Sequence, residues 1–292
     1  MFLTILHLND LHGRLDQLPR LFTLIQRERA AARAEGRAVL LFDCGDSSDP
    51  AAWESDLTMG RASYALLEAM GVDAGVIGNN EAGRWSRAGL EKLLAAVHFP
   101  LLAANLVDST QPDRLALPGL RASCAIRLGD HVVGVIGVTA AFPALYAPFG
   151  YTTLHPRAVI PREIARLEGQ NALTLILLSH LGCCLNPAEK PVDLYTDEDV
   201  ADEFPEFDLI LGGHTHTALN PPIQRGQTII AQAGEHGRYL GKLDLDIDEV
   251  LGGVVSYSGA LIPCDESVPP DPTISATLEL VREEAARLKG RV

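Results

Sequence analysis

Our fold prediction starts from Val39-Leu40-Leu41-Phe42-Asp43-Cys44-Gly45-Asp46. Its first four residues are apolar without alternation, which is typical of a strand covered on both faces. A Gly-Asp pair follows where such a strand would run out into a loop. Similar apolar runs alternate with helical patterns through the first third of the chain. Strands are predicted over 2–8, 39–42, 74–77 and 101–104, and helices over 18–35, 60–70 and 88–97. This βα alternation predicts an α/β protein.

The rest of the chain continues with strand and helix patterns. Gly129-Asp130 separates two β-type runs, which predicts a hairpin. The hairpin strands are predicted over 125–128 and 132–138, and the next helix over 159–168. Strands are predicted over 173–178 and 209–211, an antiparallel meander over 228–231, 240–247 and 254–261, and a last helix over 273–289. Loops are expected over 107–119 and 186–199, and residues 1–292 are expected to form a single domain.

Composition excludes several classes of protein. There are 24 Lys and Arg residues against 38 Asp and Glu residues, so the formal charge is −14 and a nucleic-acid or anionic-membrane surface is not expected. No secretory signal and no membrane-spanning apolar run is visible. The five cysteines are odd in number and have no Cys-x-x-Cys spacing, which argues against a disulfide framework or a structural zinc site. We therefore expect a reduced, cytoplasmic protein.

Polar residues with metal-binding chemistry stand where predicted strands run out into loops. The candidates are Asp10, His12, Asp46, Asn79, His180, His214 and His216. In open α/β sheets, ligands gather at the carboxyl ends of strands, so we expect these side chains to converge. A mixture of carboxylate, amide and imidazole groups suits Mn²⁺, Fe²⁺, Co²⁺ or Zn²⁺, and not Ca²⁺ or Mg²⁺, which prefer oxygen alone.

Seven ligands are too many for one tetrahedral zinc ion. Shared between two cations with one bridging carboxylate, they leave positions open for water and substrate. Two such cations can acidify a bridging water and clamp both the attacking and the leaving oxygen of a displacement at phosphorus. We therefore expect two divalent metal ions, Mn²⁺ with Fe, Zn or Co as alternatives, and hydrolysis of a small phosphorylated substrate.

The same motifs carry a resemblance to a known family. Asn-Asp-x-His-Gly, Gly-Asp, Gly-Asn-x-Glu, Ser-His-x-Gly and Gly-Gly-His-Thr-His occur in this order. The chain resembles the calcineurin-like metallophosphoesterases over nearly its whole length, and particularly the catalytic domain of the 5′-nucleotidase branch. The stretch 232–241 also looks like the glycine-rich segment that follows the last histidine pair in that branch.

The resemblance implies a four-layer α/β/β/α sandwich of two mixed sheets. It also implies which candidates hold each metal. One metal is assigned to Asp10, His12, Asp46 and His216, and the other to Asp46, Asn79, His180 and His214. In this assignment Asp46 bridges the two metals.

One position departs from the family pattern. Members usually have His directly after the ligand Asn, where it contacts the phosphate, and here this position is Asn80. In the 5′-nucleotidase branch an Asp three residues later orients that His, and the matching position here is Gly83. Asn can donate a hydrogen bond to a phosphoryl oxygen, but it cannot protonate a leaving alkoxide, and such assistance contributes ~10²- to 10⁴-fold in rate. Phosphodiesters, cyclic phosphates and activated esters are therefore expected to be better substrates than simple monoesters. We expect Arg84, His236 or Glu235 to supply the missing cation or proton.

Two alternative functions stay open. Some members of the superfamily have degenerate sites and serve as metal-binding scaffolds or interaction modules. A related thiohydrolase branch, which acts in sulfur oxidation, also lacks His at the position of Asn80. The 5′-nucleotidases carry a further C-terminal domain that binds the nucleoside, and we expect this chain to lack it. The aromatic residues of the loop 142–151 are expected to pack locally.

Overall fold

Two mixed sheets lie face to face, and helices cover their outer faces. The computed structural model describes residues 1–186, 188, 190–191, 194–250 and 252–290. The strands are β1 (Phe2–Leu8), β2 (Ala38–Asp43), β3 (Ala74–Val76), β4 (Leu101–Leu102), β5 (Leu106–Asp108), β6 (Ser123–Leu128), β7 (His131–Thr139), β8 (Tyr151–Thr153), β9 (Thr174–His180), β10 (Leu209–Leu211), β11 (Ile223–Arg225), β12 (Thr228–Ala231), β13 (Tyr239–Ile247) and β14 (Val254–Pro263). The helices are α1 (Leu18–Ala34), α2 (Trp53–Thr58), α3 (Arg61–Met70), α4 (Asn79–Arg84), α5 (Arg87–Ala96), α6 (Pro143–Tyr146), α7 (Ile160–Glu168), α8 (Asp197–Glu203) and α9 (Pro272–Lys289).

Each large sheet has a parallel centre. Sheet I has the order β14-β13-β1-β2-β3-β4, in which β1 to β4 are parallel and β13 and β14 are antiparallel to their neighbours. Sheet II has the order β11-β12-β10-β9-β7-β6, with antiparallel strands at both edges. Strands β5 and β8 form a separate antiparallel pair. Both large sheets are therefore mixed, as the resemblance implied.

Alternating side chains of each strand enter different layers of the core. In β2, Leu41 packs in the layer beneath the helices of sheet I, whereas Leu40 and Phe42 pack between the two sheets. On the other side of the molecule, Ile164 of α7 and Val200 of α8 pack over sheet II. Strand β2 is thus buried on both faces, and the predicted four-layer α/β/β/α sandwich is confirmed.

One predicted arrangement is wrong. The last third was expected to form an antiparallel meander, but β12 lies in sheet II and pairs in parallel with β10, while β13 and β14 lie in sheet I. The physical reason is that β12 is buried along its whole length, so its apolar run fits the interior of either sheet equally well. Sequence pattern therefore identifies this strand without identifying its partner.

The two predicted loops are also shorter than expected. The first contains part of β5, because residues 106–108 pair with β8. The second runs into α8, which begins at Asp197. Residues 187, 189, 192 and 193 of that loop lie outside the described residues. Among the described residues, no helix combines the length and hydropathy that a membrane span requires.

Candidate metal centre

The seven candidates lie at one edge of the sandwich, where parallel strands of the two sheets end. Asp10 and His12 follow β1, Asp46 follows β2, Asn79 follows β3, His180 ends β9, and His214 and His216 follow β10. These are central strands of the two sheets, and their carboxyl ends point the same way within each sheet. Residues far apart in sequence therefore meet between the sheets.

One group of donor atoms surrounds Asp10 Oδ1. This oxygen lies 3.4 Å from His216 Nε2 and 3.7 Å from His12 Nε2. The two Nε2 atoms are only 3.0 Å apart. An unprotonated ring nitrogen is an acceptor, so two of them at this distance need a proton or a cation between them. Asp10, His12 and His216 can therefore hold a metal ion.

A second group lies deeper and shares the same carboxylate. His180 Nε2 is 3.4 Å from Asp46 Oδ1 and 4.0 Å from Asp10 Oδ1, and these three side chains can also hold a metal ion. The ring of His214 lies beside that of His180, with centroids 5.3 Å apart. In this geometry Asp10 is common to both groups, so the assignment of Asp46 as the bridging carboxylate stays a prediction.

Three buried atoms at the centre have no hydrogen-bond partner among the residues that the structure describes. They are Asp10 Oδ1, Asn79 Oδ1 and His180 Nε2. Leaving a buried polar atom unsatisfied costs about 1–3 kcal/mol, so such atoms are rare and require an explanation. All three have lone pairs that bind divalent cations. The donor set therefore fits the metal ions that the sequence predicts.

Hydrogen bonds to neighbouring groups orient these side chains. Asn9 donates to Asp10 Oδ2 at 2.8 Å, and the backbone N–H of His214 donates to the same oxygen at 2.9 Å, which leaves Oδ1 free. The His180 Nδ1–H donates to the carbonyl of Cys44 at 2.7 Å, which leaves Nε2 as the acceptor. Although burial opposes it, the Asp46 and Asp10 carboxylates raise the pKa of His180 to about 10. A proton on the His180 ring offsets the negative charge of these two carboxylates, and a bound metal cation would offset the same charge.

Glu81 organises the loop that carries Asp46. Its carboxylate accepts the backbone N–H groups of Asp46, Ser48 and Gly78 at 2.9 to 3.1 Å, and the Ser48 hydroxyl at 2.8 Å. Burial raises the pKa of Glu81 to about 7, while the Ser48 hydrogen bonds act in the opposite direction. The family motif contains this residue, although the sequence analysis gave it no role.

The backbone at the centre is strained. Six candidate residues have left-handed φ values between 48° and 72°: Asp10, His12, Asp46, His214, His216 and His236. Residues other than glycine adopt this region rarely, and at a cost. Gly78 allows the close approach of two loops, because a Cβ there would lie 2.1 Å from Asp46 Oδ1. The chain thus holds these side chains in positions that an unstrained loop would not provide.

Asn80 contacts the candidate ligand His12. Its Nδ2 lies 3.0 Å from His12 Nδ1, 3.2 Å from the Ser48 carbonyl and 3.3 Å from Asp49 Oδ2. Asp49 Oδ2 is itself 3.3 Å from His12 Nδ1. Sequence analysis missed Asp49, because no motif marks it. This carboxylate is placed to accept a hydrogen bond from the His12 Nδ1–H when Nε2 binds a cation.

The position expected to carry the orienting Asp is blocked. Gly83 lies in α4, and a Cβ on it would come within 2.3 Å of Leu145 Cγ in α6. Leu145 therefore occupies the space that an Asp side chain would need. The packing of α4 against α6 therefore leaves no room for the Asp of the His–Asp pair, in agreement with the glycine found at position 83.

The three residues expected to replace the missing group lie in different surroundings. Glu235 pairs with His216 Nδ1 at 2.8 Å and with Arg238 at 3.0 Å. The His236 ring centroid lies 5.6 Å from that of His12, and burial lowers the pKa of His236. Arg84 is exposed at the end of α4 and forms no side-chain hydrogen bond or ion pair with the described residues. Their catalytic role stays a prediction.

A cavity of about 460 Å³ opens beside His12 and His216. Its other main lining residues are Arg14, Asp49, Ala51, Ala52, Glu235 and His236. On the opposite side of the centre, the partly exposed ring of Phe142 lies 5.5 Å from that of His214. Of the aromatic loop 142–151, Tyr146 and Tyr151 are buried, as expected for local packing. Arg14 was not identified from the sequence, although it stands two residues after His12.

Comparison with known proteins supports one family. The model of the family described as calcineurin-like phosphoesterase matches residues 3–218. The chain is 28% identical to the uncharacterized metallophosphoesterase YunD of Bacillus subtilis, over 89% of this chain and 53% of YunD. It is 30% identical to the 5′-nucleotidase of Bos taurus, over 94% of this chain and 52% of that enzyme. The chain therefore spans about half the length of these curated relatives.

Solved structures share the fold. The sulfate thiohydrolase SoxB of Thermus thermophilus superposes with a TM-score of 0.79 at 23% identity, over 96% of this chain and 60% of SoxB. The calcineurin-like phosphoesterase YfkN of Bacillus subtilis superposes with a TM-score of 0.79 at 18% identity, over 99% of both chains. The match to the family model covers most of the sequence and includes all seven candidate ligands. The chain belongs to the calcineurin-like phosphoesterase family.

Proposed function

We propose that this protein hydrolyses esters of phosphoric acid with the help of two divalent cations. The observation that carries the proposal is the convergence of three buried, unpartnered donor atoms, on Asp10, Asn79 and His180, at the edge where both sheets end. Membership of the calcineurin-like phosphoesterase family supports the same reaction class. Asp10 Oδ1 lies 3.4 Å from His216 Nε2, and His180 Nε2 lies 3.4 Å from Asp46 Oδ1, but neither atom forms a hydrogen bond with the described residues. Buried polar atoms in this state are expected where a ligand binds.

The proposed metals are Mn²⁺ first, with Fe, Zn or Co as alternatives, because the donors mix imidazole nitrogen with carboxylate and amide oxygen. When bound, two such ions acidify water and stabilise the charge that develops on phosphoryl oxygens. The protein positions them through His12, His180, His214 and His216 together with Asp10, Asp46 and Asn79. Asn9 and Cys44 fix Asp10 and His180 in the orientation that binding requires.

Asn80 directs the proposal toward particular substrates. Its amide lies beside His12 and can donate a hydrogen bond to a phosphoryl oxygen, but it cannot protonate a leaving alkoxide. Losing acid assistance costs ~10²- to 10⁴-fold for a strongly basic leaving group and little for a weakly basic one. We therefore propose that phosphodiesters, cyclic phosphates and activated esters are hydrolysed better than alkyl monoesters such as nucleoside monophosphates.

The substrate is proposed to be a small phosphorylated molecule. The formal charge of −14 does not favour a nucleic-acid polymer or an anionic membrane surface. A cytoplasmic location is also proposed, and the five free cysteines support it, because a reducing compartment keeps thiols free.

The first experiment compares bis-p-nitrophenyl phosphate, p-nitrophenyl phosphate and a nucleoside monophosphate in the presence of Mn²⁺. We expect the wild type to hydrolyse the diester, and Asn80→His to gain monoesterase activity by roughly tenfold or more, since an imidazole restores a proton donor. Asn171→His is the control, because residue 171 lies in an exposed turn between α7 and β9.

Two results of this experiment would contradict the proposal, each in a different part. If neither the wild type nor Asn80→His turns over any ester while two equivalents of Mn²⁺ are bound, the hydrolase proposal is wrong and a metal-binding scaffold replaces it. If the wild type prefers the nucleoside monophosphate, the substrate assignment is wrong and the reaction class stands.

A further inference from the structure

A row of three residues crosses the outer face of sheet II at the edge where the metal centre lies. Leu211 of β10 pairs in parallel with Leu178 of β9 and with Ala231 of β12. The residues that follow these three lie side by side, and they are Gly212, Ser179 and Gln232. The two outer residues of this row are fully buried. The row therefore lies behind the strand ends that carry candidate metal ligands.

Asp197, the first residue of α8, lies over the middle of this row. The Ser179 hydroxyl donates to its Oδ1, and a Cβ on Gly212 would lie 2.3 Å from its Oδ2. The Asp197 backbone N–H donates to the Gly182 carbonyl at 2.9 Å. Its side chain is fully buried, and Oδ2 has no hydrogen-bond partner among the described residues. The carboxyl group thus lies between α8 and the ends of β9 and β10.

The start of α8 does not need this carboxyl group. Asp199 accepts the Thr196 N–H at 2.8 Å and the Thr196 hydroxyl at 3.0 Å, and these bonds belong to a capping box. Burying a carboxyl group opposes folding unless its contacts offset the cost. The position of Asp197 therefore requires an explanation other than helix capping.

The residues that Asp197 contacts adjoin two candidate ligands. Ser179 directly precedes His180, and its oxygen also accepts the N–H of residue 181 at 3.2 Å. One hydroxyl group thus links Asp197 to the backbone on both sides of His180. Gly212 stands two residues before His214. Because side chains alternate along a strand, Ser179 faces α8 while His180 faces the space between the sheets.

The loop that carries His216 has hydrogen bonds of its own. The Thr215 hydroxyl donates to Gln232 Oε1 at 3.2 Å and accepts the Cys183 N–H at 3.0 Å. Glu235 pairs with His216 Nδ1 at 2.8 Å. None of these bonds involves the Asp197 side chain, so His216 should keep its position without that carboxyl group.

We propose that Asp197 positions His180 and His214 for the metal ion at the deeper group of donor atoms. This inference rests on the proposed function and adds a residue on which its metal centre depends. Asp197 acts through Ser179 and Gly212 and is a positioning residue. Residues that orient ligand histidines typically contribute ~10- to 100-fold to metal affinity.

The test uses two proteins that each keep one of the two groups of donor atoms. His216→Ala keeps the deeper group, and His180→Ala keeps the group of Asp10, His12 and His216. In the His216→Ala protein, adding Asp197→Ala should weaken Mn²⁺ binding by ~10- to 100-fold. In the His180→Ala protein, the same change should alter Mn²⁺ affinity by no more than about twofold, as for independent sites. Calorimetric titration of the metal-free proteins measures both affinities.

Three further variants in the His216→Ala protein distinguish positioning from general damage to the fold. Asp197→Asn should retain most of the Mn²⁺ affinity, because its amide oxygen still accepts the Ser179 hydroxyl. Ser179→Ala removes that hydrogen bond and leaves the carboxyl group in place, so it tests the proposal even if Asp197→Ala does not fold. It should weaken Mn²⁺ binding in the same direction. Asp202→Ala is the matched control, because Asp202 lies on the same helix and pairs with Arg225 at the surface.

The results separate this inference from the proposed function. A wild type that binds no Mn²⁺ would overturn the proposed function, and this inference with it. If the wild type binds two ions, unchanged affinity of the deeper group in both Asp197→Ala and Ser179→Ala would overturn the role of Asp197 alone. An equal loss at both groups would also overturn it, because a general loss of structure produces that result.

Discussion

At the scale of single residues, the side chains around the candidate ligands determine how well they bind. Asp49 lies 3.3 Å from His12 Nδ1, on the side of the ring opposite Asp10 and His216. A carboxylate in this position fixes the tautomer of a ligand histidine and makes its other nitrogen more basic. Asp49 is therefore part of the centre, although it is not one of the candidate metal ligands.

Replacing Asp49 should weaken metal binding. We expect Asp49→Asn to lower the affinity of one of the two proposed metal sites by ~10- to 100-fold, because His12 loses the carboxylate behind it. Calorimetric titration of the metal-free protein with Mn²⁺ measures this, and Asp113→Asn, in an exposed loop, is the control. Two unchanged affinities would show that Asp49 has no part in metal binding.

The sequence predicts the candidate ligands better than it predicts their surroundings. Asp10, His12 and His216 stand in short motifs at strand ends, so local pattern and resemblance identify them. Asp49 and Arg14 gain their positions only where the loops after β1 and β2 meet. No local pattern specifies such a meeting, which depends on the pairing of strands about 30 residues apart.

At the scale of elements, the sequence predicts where a strand lies more reliably than it predicts which strands pair with it. The apolar run of β12 identifies a strand, but its burial on both faces suits either sheet. The chain in fact crosses from sheet II to sheet I between β12 and β13, and the crossing carries Glu235 and His236 past the centre. The error over the meander therefore concealed how these two residues reach the site.

Helix α6 is expected to prevent restoration of the family's His–Asp pair. Any side chain at position 83 must displace Leu145, so Gly83→Ala should lower the free energy of unfolding by about 1–3 kcal/mol. Adding Leu145→Ala should recover much of that loss by opening space, although it removes apolar contacts of its own. Urea unfolding of the four proteins in this double-mutant cycle measures the coupling. Additive effects would mean that the two residues do not compete for one space.

At the scale of the whole molecule, α9 packs against the helices that cover sheet I. Arg282 of α9 pairs with Glu54 of α2 at 2.9 Å, and Ile274 and Leu278 pack in the same apolar layer as α1. We propose on this basis that residues 1–292 form a single domain. Since β1 to β3 and β9, β10 and β12 all lead into the centre or its walls, its occupancy should affect the stability of the entire fold.

Removing metal should lower the melting temperature of the whole protein. Asp10 and Asp46 are buried side by side with His180, and a bound cation offsets their repulsion. At a free metal concentration of about 100 times Kd, binding of one ion contributes about 2.7 kcal/mol, which corresponds to roughly 4–5 °C in Tm for a chain of this size. Differential scanning calorimetry with Mn²⁺ and with a chelator measures the difference. His180→Ala should show a smaller difference, and equal Tm values for wild type would refute the metal assignment.

The hydrogen bonds of Asn9 have a consequence for the order of events during protein synthesis. Asn9 holds Asp10 in place only by contacting Gly234 and Ala233, which lie 225 and 224 residues later in the chain. A ribosome that has completed β1 and β2 has therefore exposed Asp10, His12 and Asp46 without the residues that orient them. A well-formed site therefore requires synthesis of the 225 further residues that lead from Asn9 to Gly234. Metal insertion should accordingly come late, after both sheets have closed around the centre.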